Sequence, residues 1–282
     1  MSESFDKRLT PARPDLAARH LEGKVEAARF VDGRRMQVKE GVADLKREPR
    51  PDARLDTQAL YGETVVVYDE EEGWSWVQLE RDLYVGWIAA NVLWSRIETP
   101  THRVCVPRTF IFPRPEIKDP PLLALPLGAE VEIVGERDKF LVEAGGGFLY
   151  SPHLTPRAAR VADFVAAAES LIGAPYLWGG KSWLGVDCSG LVQTSLAMAG
   201  IEAPRDTDLQ EKSLGRALEE GEPSQRGDLV FWKGHVGIMQ DAERLLHANA
   251  FHLQVASEAF APARARIAES GSAVTSVRRL EN

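Results

Sequence analysis

Residues 186–192 read VDCSGLV, and Cys188 within this stretch determines how the rest of the chain is interpreted. After the cysteine, apolar residues recur at helical spacing, at Leu191, Val192, Leu196 and Ala199. Gly200 follows as a stop signal, so the pattern predicts a helix that begins near Cys188. A cysteine in the first turn of a helix lies at the positive end of the helix dipole. We therefore expect the pKa of Cys188 to lie below its ordinary value of about 8.5.

The neighbours of Cys188 favour a reactive cysteine over a packing one. A lone cysteine is more often a small buried hydrophobe. Here Asp187 and Ser189 place polar groups beside it, and we predict that both line a substrate-binding rim. A backbone N–H at a helix start also suits half of an oxyanion hole. The other cysteine, Cys105, lies in a strand-like stretch, RVCVP at 103–107, and is interpreted as packing.

Two downstream histidines supply a candidate base and a group to orient it. Residues 228–232, 235–239 and 244–249 are predicted strands. An odd-length loop centred on Asp241 would place His235 and His247 directly opposite, with Cβ atoms about 4.5–5.5 Å apart. Strand alternation puts both on one face and the apolar residues on the other. A thiol, a base and an orienting group form the general arrangement for nucleophilic catalysis.

A metal centre is the competing interpretation of the same three side chains. Cys188, His235 and His247 together match a known catalytic zinc ligand set. The chain has no CxxC or HxxxH pair, and metal ligands usually include such a pair. The prediction is therefore that the protein needs no cofactor. Each histidine alone also fits a structural role, which we assign to the four others, His20, His102, His153 and His252.

Six short blocks surround these residues in order: PYLWGG at 175–180, DCSGLV at 187–192, PRD at 204–206 with Gln210, RGDLVF at 226–231, GHVGI at 234–238 and HA at 247–248. Together they resemble the NlpC/P60 cysteine peptidases. The resemblance implies a papain-like fold with Cys188 as nucleophile, His235 as general base and His247 as the orienting residue. Tyr176 matches a tyrosine that in the family lies beside the nucleophile, so its hydroxyl is expected to help hold the oxyanion.

The first half of the chain is a different kind of sequence. Runs at 57–67, 73–79 and 84–88 are β-rich and separated by glycine and acidic turns, a pattern that predicts a small barrel. The aromatic-glycine pattern resembles bacterial SH3-type domains, and a degenerate second copy runs from 102 to 150. For at least half of its tryptophans, Trp74, Trp76 and Trp87, we expect core packing.

The predicted fold class is α+β, with a papain-like NlpC/P60 catalytic domain preceded by two small all-β SH3-like barrels. Proline-containing boundaries at Thr99-Pro100 and Thr155-Pro156 separate the parts. The predicted division is an N-terminal extension at 1–20, a first SH3-type domain at 21–98, a second at 99–156 and the catalytic domain at 157–282.

Composition restricts the partners. The 282 residues carry a net charge of −8, which gives no basic footprint for nucleic acid or an anionic membrane. The first eight residues lack the apolar stretch of a signal peptide, and the most apolar helical segment, 161–172, is too short for a membrane span. Two cysteines in separate domains argue against a disulfide framework. The prediction is a cytoplasmic monomer with neither a nucleic-acid nor a membrane partner.

The architecture of two SH3-type domains before an NlpC/P60 domain resembles the γ-D-glutamyl-L-diamino acid endopeptidases of murein recycling. The resemblance implies a murein peptide partner, L-Ala-γ-D-Glu-diamino acid, cut to release L-Ala-D-Glu. The alternatives are a non-catalytic muropeptide-binding protein, an amidase or acyltransferase on the same scaffold, and a zinc-dependent hydrolase.

An enzyme that releases a dipeptide must recognise a free amino terminus. The physical means is a closed cleft end with negative charge, where an acylated peptide leaves carboxylates unpaired. Asp187 and Glu63 are the candidate carboxylates, with Tyr84 as a wall or hydroxyl donor. The alternative is that Glu63 is a solvated turn residue and Tyr84 a barrel core aromatic. Asp206, with Arg205 and Gln210 nearby in sequence, is expected either to line the cleft or to brace it.

Overall fold

The computed structural model describes residues 5–281, which divide into two compact units, one ending at Arg157 and the other beginning at Ala158. The first four residues of the predicted N-terminal extension lie outside the described residues, and so does Asn282. Part of the stretch without a signal-peptide pattern is therefore not described either.

From Phe5 onward, the regular elements of the first unit are strands and short 3₁₀ helices. Its first nine strands are β1 Ala17–Ala18, β2 Phe30–Val31, β3 Arg34–Val38, β4 Val42–Lys46, β5 Leu55–Leu60, β6 Thr64–Glu71, β7 Trp74–Leu79, β8 Val85–Ala89 and β9 Leu93–Trp94. Strands β3 to β9 form one seven-stranded sheet in the order β5-β4-β8-β7-β6-β3-β9. Its apolar face is buried as a core that includes Val38, Leu45, Val65 and Ile88.

The rest of the first unit is built from shorter strands. These are β10 His102–Val104, β11 Arg108–Ile111, β12 Leu123–Pro126, β13 Glu130–Val131, β14 Ile133–Arg137, β15 Phe140–Glu143, β16 Phe148–Tyr150 and β17 Leu154–Pro156. They form three small sheets around a second core that includes Val104, Ile111, Leu125 and Leu149. The predicted all-β character of this half is confirmed.

Trp74, Trp76 and Trp87 are packed, but the expectation that they lie in the barrel core is wrong, because they form a separate cluster. Trp76 and Trp87 are buried with Leu16, a residue of the segment before the barrel. The guanidinium carbon of Arg13 lies 4.5 Å from the Trp76 ring centroid and 4.9 Å from that of Trp87, so the segment also makes cation–π contacts. Trp74 is half-buried beside this cluster. The three rings therefore pack with the segment that precedes the seven-stranded sheet, outside the core of that sheet.

The second unit combines four helices with an antiparallel sheet. In chain order its elements are α1 Phe164–Glu169, β18 Lys181–Ser182, β19 Gly185–Val186, α2 Cys188–Met198, α3 Thr207–Ser213, β20 Arg216–Ala217, β21 Leu229–Trp232, β22 His235–Met239, β23 Arg244–Asn249, β24 Gln254–Ala259, α4 Phe260–Glu269 and β25 Val274–Arg279. The six-stranded sheet has the order β20-β25-β21-β22-β23-β24. The predicted α+β class is confirmed.

Helix α2 begins at Cys188 because Asp187 caps it. The Asp187 carboxylate accepts a hydrogen bond from the backbone N–H of Gly190 at 2.7 Å, which satisfies one of the donors exposed at a helix start. The helix stops before Gly200, whose φ of 74° is left-handed. Its buried apolar residues pack against β22 and β23. The predicted helix and the three predicted strands are confirmed.

The strand pairing of the histidine hairpin is shifted from the prediction by two residues. Ile238 pairs with Leu246 and Met239 with Leu245, so the loop is centred on Ala242 and His247 faces Gly237 rather than His235. The turn takes this length because the Asp241 carboxylate accepts hydrogen bonds from the N–H groups of Glu243 and Arg244. The two histidines are therefore diagonal neighbours on one face of the sheet.

Among residues 5–281 no helix combines the length and the apolar character that crossing a lipid bilayer requires.

Candidate active site

Cys188 lies at the first position of α2, where its sulfur is surrounded by backbone and hydroxyl groups. The thiol is 6% exposed. Its Sγ lies 3.9 Å from Thr207 Oγ1 and accepts a hydrogen bond from the backbone N–H of Val236. The latter contact places the start of strand β22, and with it His235, beside the nucleophile. The turn before the helix fits because Gly190 has no Cβ, which would lie 2.2 Å from the carbonyl oxygen of Gly180.

The expected low pKa of Cys188 is wrong. Burial and the charge of Asp187 raise the pKa of the thiol to about 11. The hydrogen bonds from Val236 and Thr207 and the charge of Arg205 lower it, but they do not offset the cost of burying a thiolate. The resting side chain is therefore a neutral thiol that needs a base to take its proton.

His235 and His247 form a hydrogen-bonded pair. His235 Nε2 lies 2.8 Å from His247 Nδ1, and the ring centroids are 5.1 Å apart. Gly237, opposite His247, is closely packed, because a Cβ there would lie 2.6 Å from Leu245 Cδ1. A Cβ at Gly237 would lie 3.3 Å from the His247 Cβ. The structure therefore brings together the two predicted histidines, through a different register.

The ionisation of this pair is set by burial. The surface of His235 is only partly exposed to solvent. Burial of its ring, with a smaller effect of His247, lowers the pKa of His235 to about 3. His247 is 1% exposed, and burial lowers its pKa too, although Glu258 acts in the opposite direction. Both imidazoles are neutral at pH 7, so His235 is available as a proton acceptor through its remaining ring nitrogen, Nδ1.

Two functional neighbours were missed by sequence reasoning. His247 Nε2 lies 2.8 Å from Glu258 Oε1 on strand β24, and Arg266 on helix α4 binds both oxygens of that carboxylate, at 2.6 and 2.8 Å. The sequence feature that could have identified Glu258 is its position on the next strand, β24, on the face that carries His247. In the β23–β24 register Glu258 faces Leu245, two residues from His247.

Tyr176 lies close enough to Cys188 for the two groups to influence each other electrostatically, and its role at the oxyanion stays a prediction. It bridges to Val186, two residues before the nucleophile, and its backbone N–H donates to the carbonyl oxygen of Leu253 at 2.9 Å. Burial and the nearby Cys188 and Asp187 raise the pKa of its phenol. The hydroxyl therefore stays protonated, as a hydrogen-bond donor must be.

Asp187 and Ser189 belong to a buried network. Arg205 donates to the two Asp187 carboxylate oxygens at 3.0 and 2.7 Å and to Ser189 Oγ at 2.8 Å. The backbone N–H of Gly179 donates to Asp187 at 2.7 Å. Arg205 and Gln210 were expected either to line the cleft or to brace it. Both brace it, because Gln210 also donates a hydrogen bond to the Ser189 carbonyl oxygen. Asp206 is half-buried before α3. Direct substrate contacts of Asp187, Ser189 and Asp206 stay predictions.

Glu63 and Tyr84 belong to the first unit. Tyr84 is part of the core of the seven-stranded barrel, as the alternative interpretation held. Glu63 is not a solvated turn residue, because its side chain is 3% exposed and its Oε1 lies 3.0 Å from Arg81 Nε. That either residue binds substrate stays a prediction.

The residues whose ligand atoms are close enough to hold one metal ion are not the three that the sequence suggested as a zinc site. Within the described part of the chain, the donor atoms of His247, His252 and Glu258 lie within 4.8 Å of one another. Cys188 and His235 are not in this group. Arg266 already holds both Glu258 oxygens, and its positive charge opposes a cation at this position.

Comparison with known proteins gives two family matches: the model described as bacterial dipeptidyl-peptidase Sh3 domain matches residues 45–93, and the NlpC/P60 family model matches residues 173–266. A γ-D-glutamyl-L-lysine dipeptidyl-peptidase of Bacillus cereus is 29% identical over 64% of this chain and 60% of its own length. A probable endopeptidase NlpC homolog of Haemophilus influenzae is 37% identical over 43% of this chain and 67% of its own.

Among solved structures, an NlpC/P60 family protein from Bacillus cereus superposes with a TM-score of 0.73 at 22% identity, covering 87% of this chain and 99% of the other. At that identity the likeness concerns the fold, which the two chains share over most of their length.

Proposed function

Because the chain belongs to the NlpC/P60 family, we propose that it is a cysteine peptidase acting on peptidoglycan peptides. Cys188 is the nucleophile, His235 the general base and His247 the residue that orients the base. The observation that carries this proposal is the arrangement at the start of α2. There the Cys188 thiol accepts a hydrogen bond from the Val236 N–H beside a 2.8 Å His235–His247 pair.

The neutral thiol and neutral imidazole define the first step. His235 Nδ1 takes the proton from Sγ as the sulfur attacks the carbonyl carbon of the scissile amide, so the proton moves as the C–S bond forms. The new oxyanion accepts hydrogen bonds from the backbone N–H of Cys188, which has no partner within its own helix, and from the Tyr176 hydroxyl. Neither a free thiolate nor a free imidazolium has to exist in this buried region beforehand.

The second half returns the protons. His235, now protonated, gives its proton to the leaving amine, the C–N bond breaks, and a thioester to Cys188 remains. Water then attacks the thioester while His235 takes one of its protons, and the thiol is released with the carboxylic acid product. During both halves the hydrogen bond to His247 stabilises the transient imidazolium and keeps its ring in place.

For the substrate, we infer a murein peptide with a free L-Ala terminus, cut at the bond between γ-D-Glu and the diamino acid to release L-Ala-D-Glu. The name of the Bacillus cereus relative and the match of residues 45–93 to a dipeptidyl-peptidase Sh3 model support this choice. A role in recycling imported wall fragments in the cytoplasm belongs to the same proposal, and fractionation of the cells that make the protein tests it.

The direct test is incubation with L-Ala-γ-D-Glu-meso-diaminopimelate and mass analysis of the products. We expect L-Ala-D-Glu and free diaminopimelate. A protein that binds the tripeptide without releasing dipeptide would instead be a muropeptide-binding protein. Release of ammonia or transfer to an added amine would indicate an amidase or acyltransferase. Activity that a chelator removes and a thiol alkylator spares would identify a zinc hydrolase.

Amino-end recognition is tested by acetylating the tripeptide. We expect the acetylated peptide to resist cleavage, because it has no ammonium group to pair with carboxylates. Equal cleavage of free and acetylated peptide would overturn recognition of the amino end while leaving the peptidase assignment intact.

A further inference from the structure

Beyond the cysteine and the two histidines, the hydrogen-bonded chain continues across the sheet. It passes from His235 on β22 to His247 on β23, then to Glu258 on β24, and ends at Arg266 on α4. The three contacts between the imidazoles, the carboxylate and the guanidinium are 2.8, 2.8 and 2.6 Å long. One group thus comes from each of three adjacent strands and the last from the helix that follows them.

Arg266 holds the carboxylate in its charged form and fixed position. Its two terminal nitrogens bind the two Glu258 oxygens, and its guanidinium carbon lies 4.0 Å from the Phe251 ring centroid. Burial alone would raise the pKa of Glu258, but the hydrogen bonds from Arg266 and His247 outweigh it and lower the pKa to about 2. The carboxylate is therefore a charged hydrogen-bond acceptor at neutral and mildly acidic pH.

A charged acceptor at this end fixes every proton in the chain. A carboxylate only accepts hydrogen bonds, so His247 must carry its proton on Nε2. Its Nδ1 then has a lone pair and must accept from His235 Nε2–H. That leaves the lone pair of His235 on Nδ1, the atom required to take the thiol proton. A neutral amide in place of Glu258 would permit the opposite tautomers along the whole chain.

We propose that Glu258, held by Arg266, is a positioning residue that sets the tautomer and orientation of His235 through His247. The inference rests on the proposed function, in which His235 is the base. The Glu258 carboxylate hydrogen-bonds to His247 and to Arg266, so in this proposal its effect on His235 passes through His247. A purely structural role, in which Glu258 only ties β24 to α4, is the competing explanation that the experiment must separate.

The test uses the full-length protein with Glu258→Gln. We expect kcat to fall about ten- to hundred-fold, the range for outer groups that orient a reactive imidazole, with KM changed less than about twofold. Glu222→Gln is the matched control. Like Glu258, Glu222 is a carboxylate held by arginine, in this case by both Arg216 and Arg279. Hydrogen bonding to Arg216 lowers the pKa of Glu222 to about 2. Its partners lie on β20 and β25, not on the strands that carry the histidines. This variant should keep wild-type kcat.

A double-mutant cycle separates positioning from structure. On a His247→Ala background, Glu258→Gln should cause no further loss of kcat, because the group through which it acts is already absent. Losses that multiply would overturn the proposal, as would an unchanged kcat in the single variant with a lowered Tm. Arg266→Lys, which keeps the charge but not the two-point contact, should retain more activity than Arg266→Met.

Two readouts do not depend on the substrate, so failure of the proposed function is distinguishable. Alkylation of Cys188 by iodoacetamide should slow in Glu258→Gln but not in Glu222→Gln. In ¹⁵N NMR spectra of the imidazoles, the wild type should show the proton of His247 on Nε2, and Glu258→Gln should shift it toward Nδ1. An unchanged tautomer in the variant would overturn the proposal even if the wild type cleaves no murein peptide.

Discussion

Cys105 and Cys188 lie in different units of the same chain, and each is close to a histidine in space. Cys105 follows strand β10, where its backbone N–H donates to the carbonyl oxygen of His153 at 2.9 Å. The ring of that histidine faces elsewhere, with Nδ1 2.9 Å from Thr109 Oγ1. Cys188 instead lies at a helix start, beside the strand that carries the His235 ring.

Burial raises the pKa of both thiols, so acidity does not distinguish the two cysteines. Cys105 Sγ contacts the carbonyl oxygen of Pro152 at 3.8 Å, an acceptor that can take no proton. What separates the two regions is a neutral imidazole held in one orientation by further groups. The comparison teaches that here a reactive cysteine is defined by its base and not by its own pKa.

The largest effect should come from Cys188→Ala. We expect kcat for the tripeptide to fall on the order of 10⁵-fold, because no other group forms the thioester, while binding and oxyanion contacts remain. Circular dichroism should show an unchanged fold. Substantial turnover by this variant would remove the difference between the two cysteines and with it the mechanism.

His235→Ala should be almost as damaging, because the thiol loses its proton acceptor and the leaving amine loses its donor. Since both thiols would then lack a base, Cys188 and Cys105 should be alkylated by iodoacetamide at more similar rates than in the wild type. Peptide mass analysis of the two cysteines in one sample measures this directly. An unchanged preference for Cys188 would mean that the helix start, rather than the base, controls reactivity.

The pH profile should be the next largest difference. Catalysis requires neutral His235, and its folded pKa of about 3 lies below the ordinary 6.5, so the neutral form persists as the pH falls below 6.5. Between pH 7 and pH 5 we expect kcat/KM to change less than about threefold, whereas an ordinary histidine would lose roughly 25-fold through protonation. An acid limb with a midpoint near 6.5 would contradict the burial effect on this imidazole.

How far the sequence could lead is clearest in the hairpin of the two histidines. Period-two alternation placed His235 and His247 on one face, and the strands were predicted with nearly the observed bounds. The register could not be predicted, because it depends on how the Asp241 carboxylate closes the turn. The close packing of Gly237, where a Cβ would lie 2.6 Å from Leu245 Cδ1, is likewise a matter of tertiary structure.

The pKa of Cys188 and the contact of Glu258 with His247 could not be predicted from the sequence, for a related reason. A helix start is visible in a sequence, but the burial that raises the pKa of Cys188 is not. Glu258 lies 11 residues after His247 in a strand whose register also had to be known. Local pattern thus predicted the helix and strands that carry Cys188, His235 and His247. The pKa values of Cys188, His235 and Glu258 depend on burial and contacts that only the folded structure shows.

The smallest effect should come from Cys105→Ser. Its sulfur is partly buried and makes one weak contact to the Pro152 carbonyl oxygen, which a serine hydroxyl can replace. We expect kcat/KM within about twofold of wild type and a free energy of unfolding within about 1 kcal/mol, measured by urea denaturation. The variant also leaves Cys188 as the single thiol of the chain, so its alkylation can be followed by thiol titration. A loss of activity here would show that His153 and Cys105 do more than pack, and the contrast between the two cysteines would have to be withdrawn.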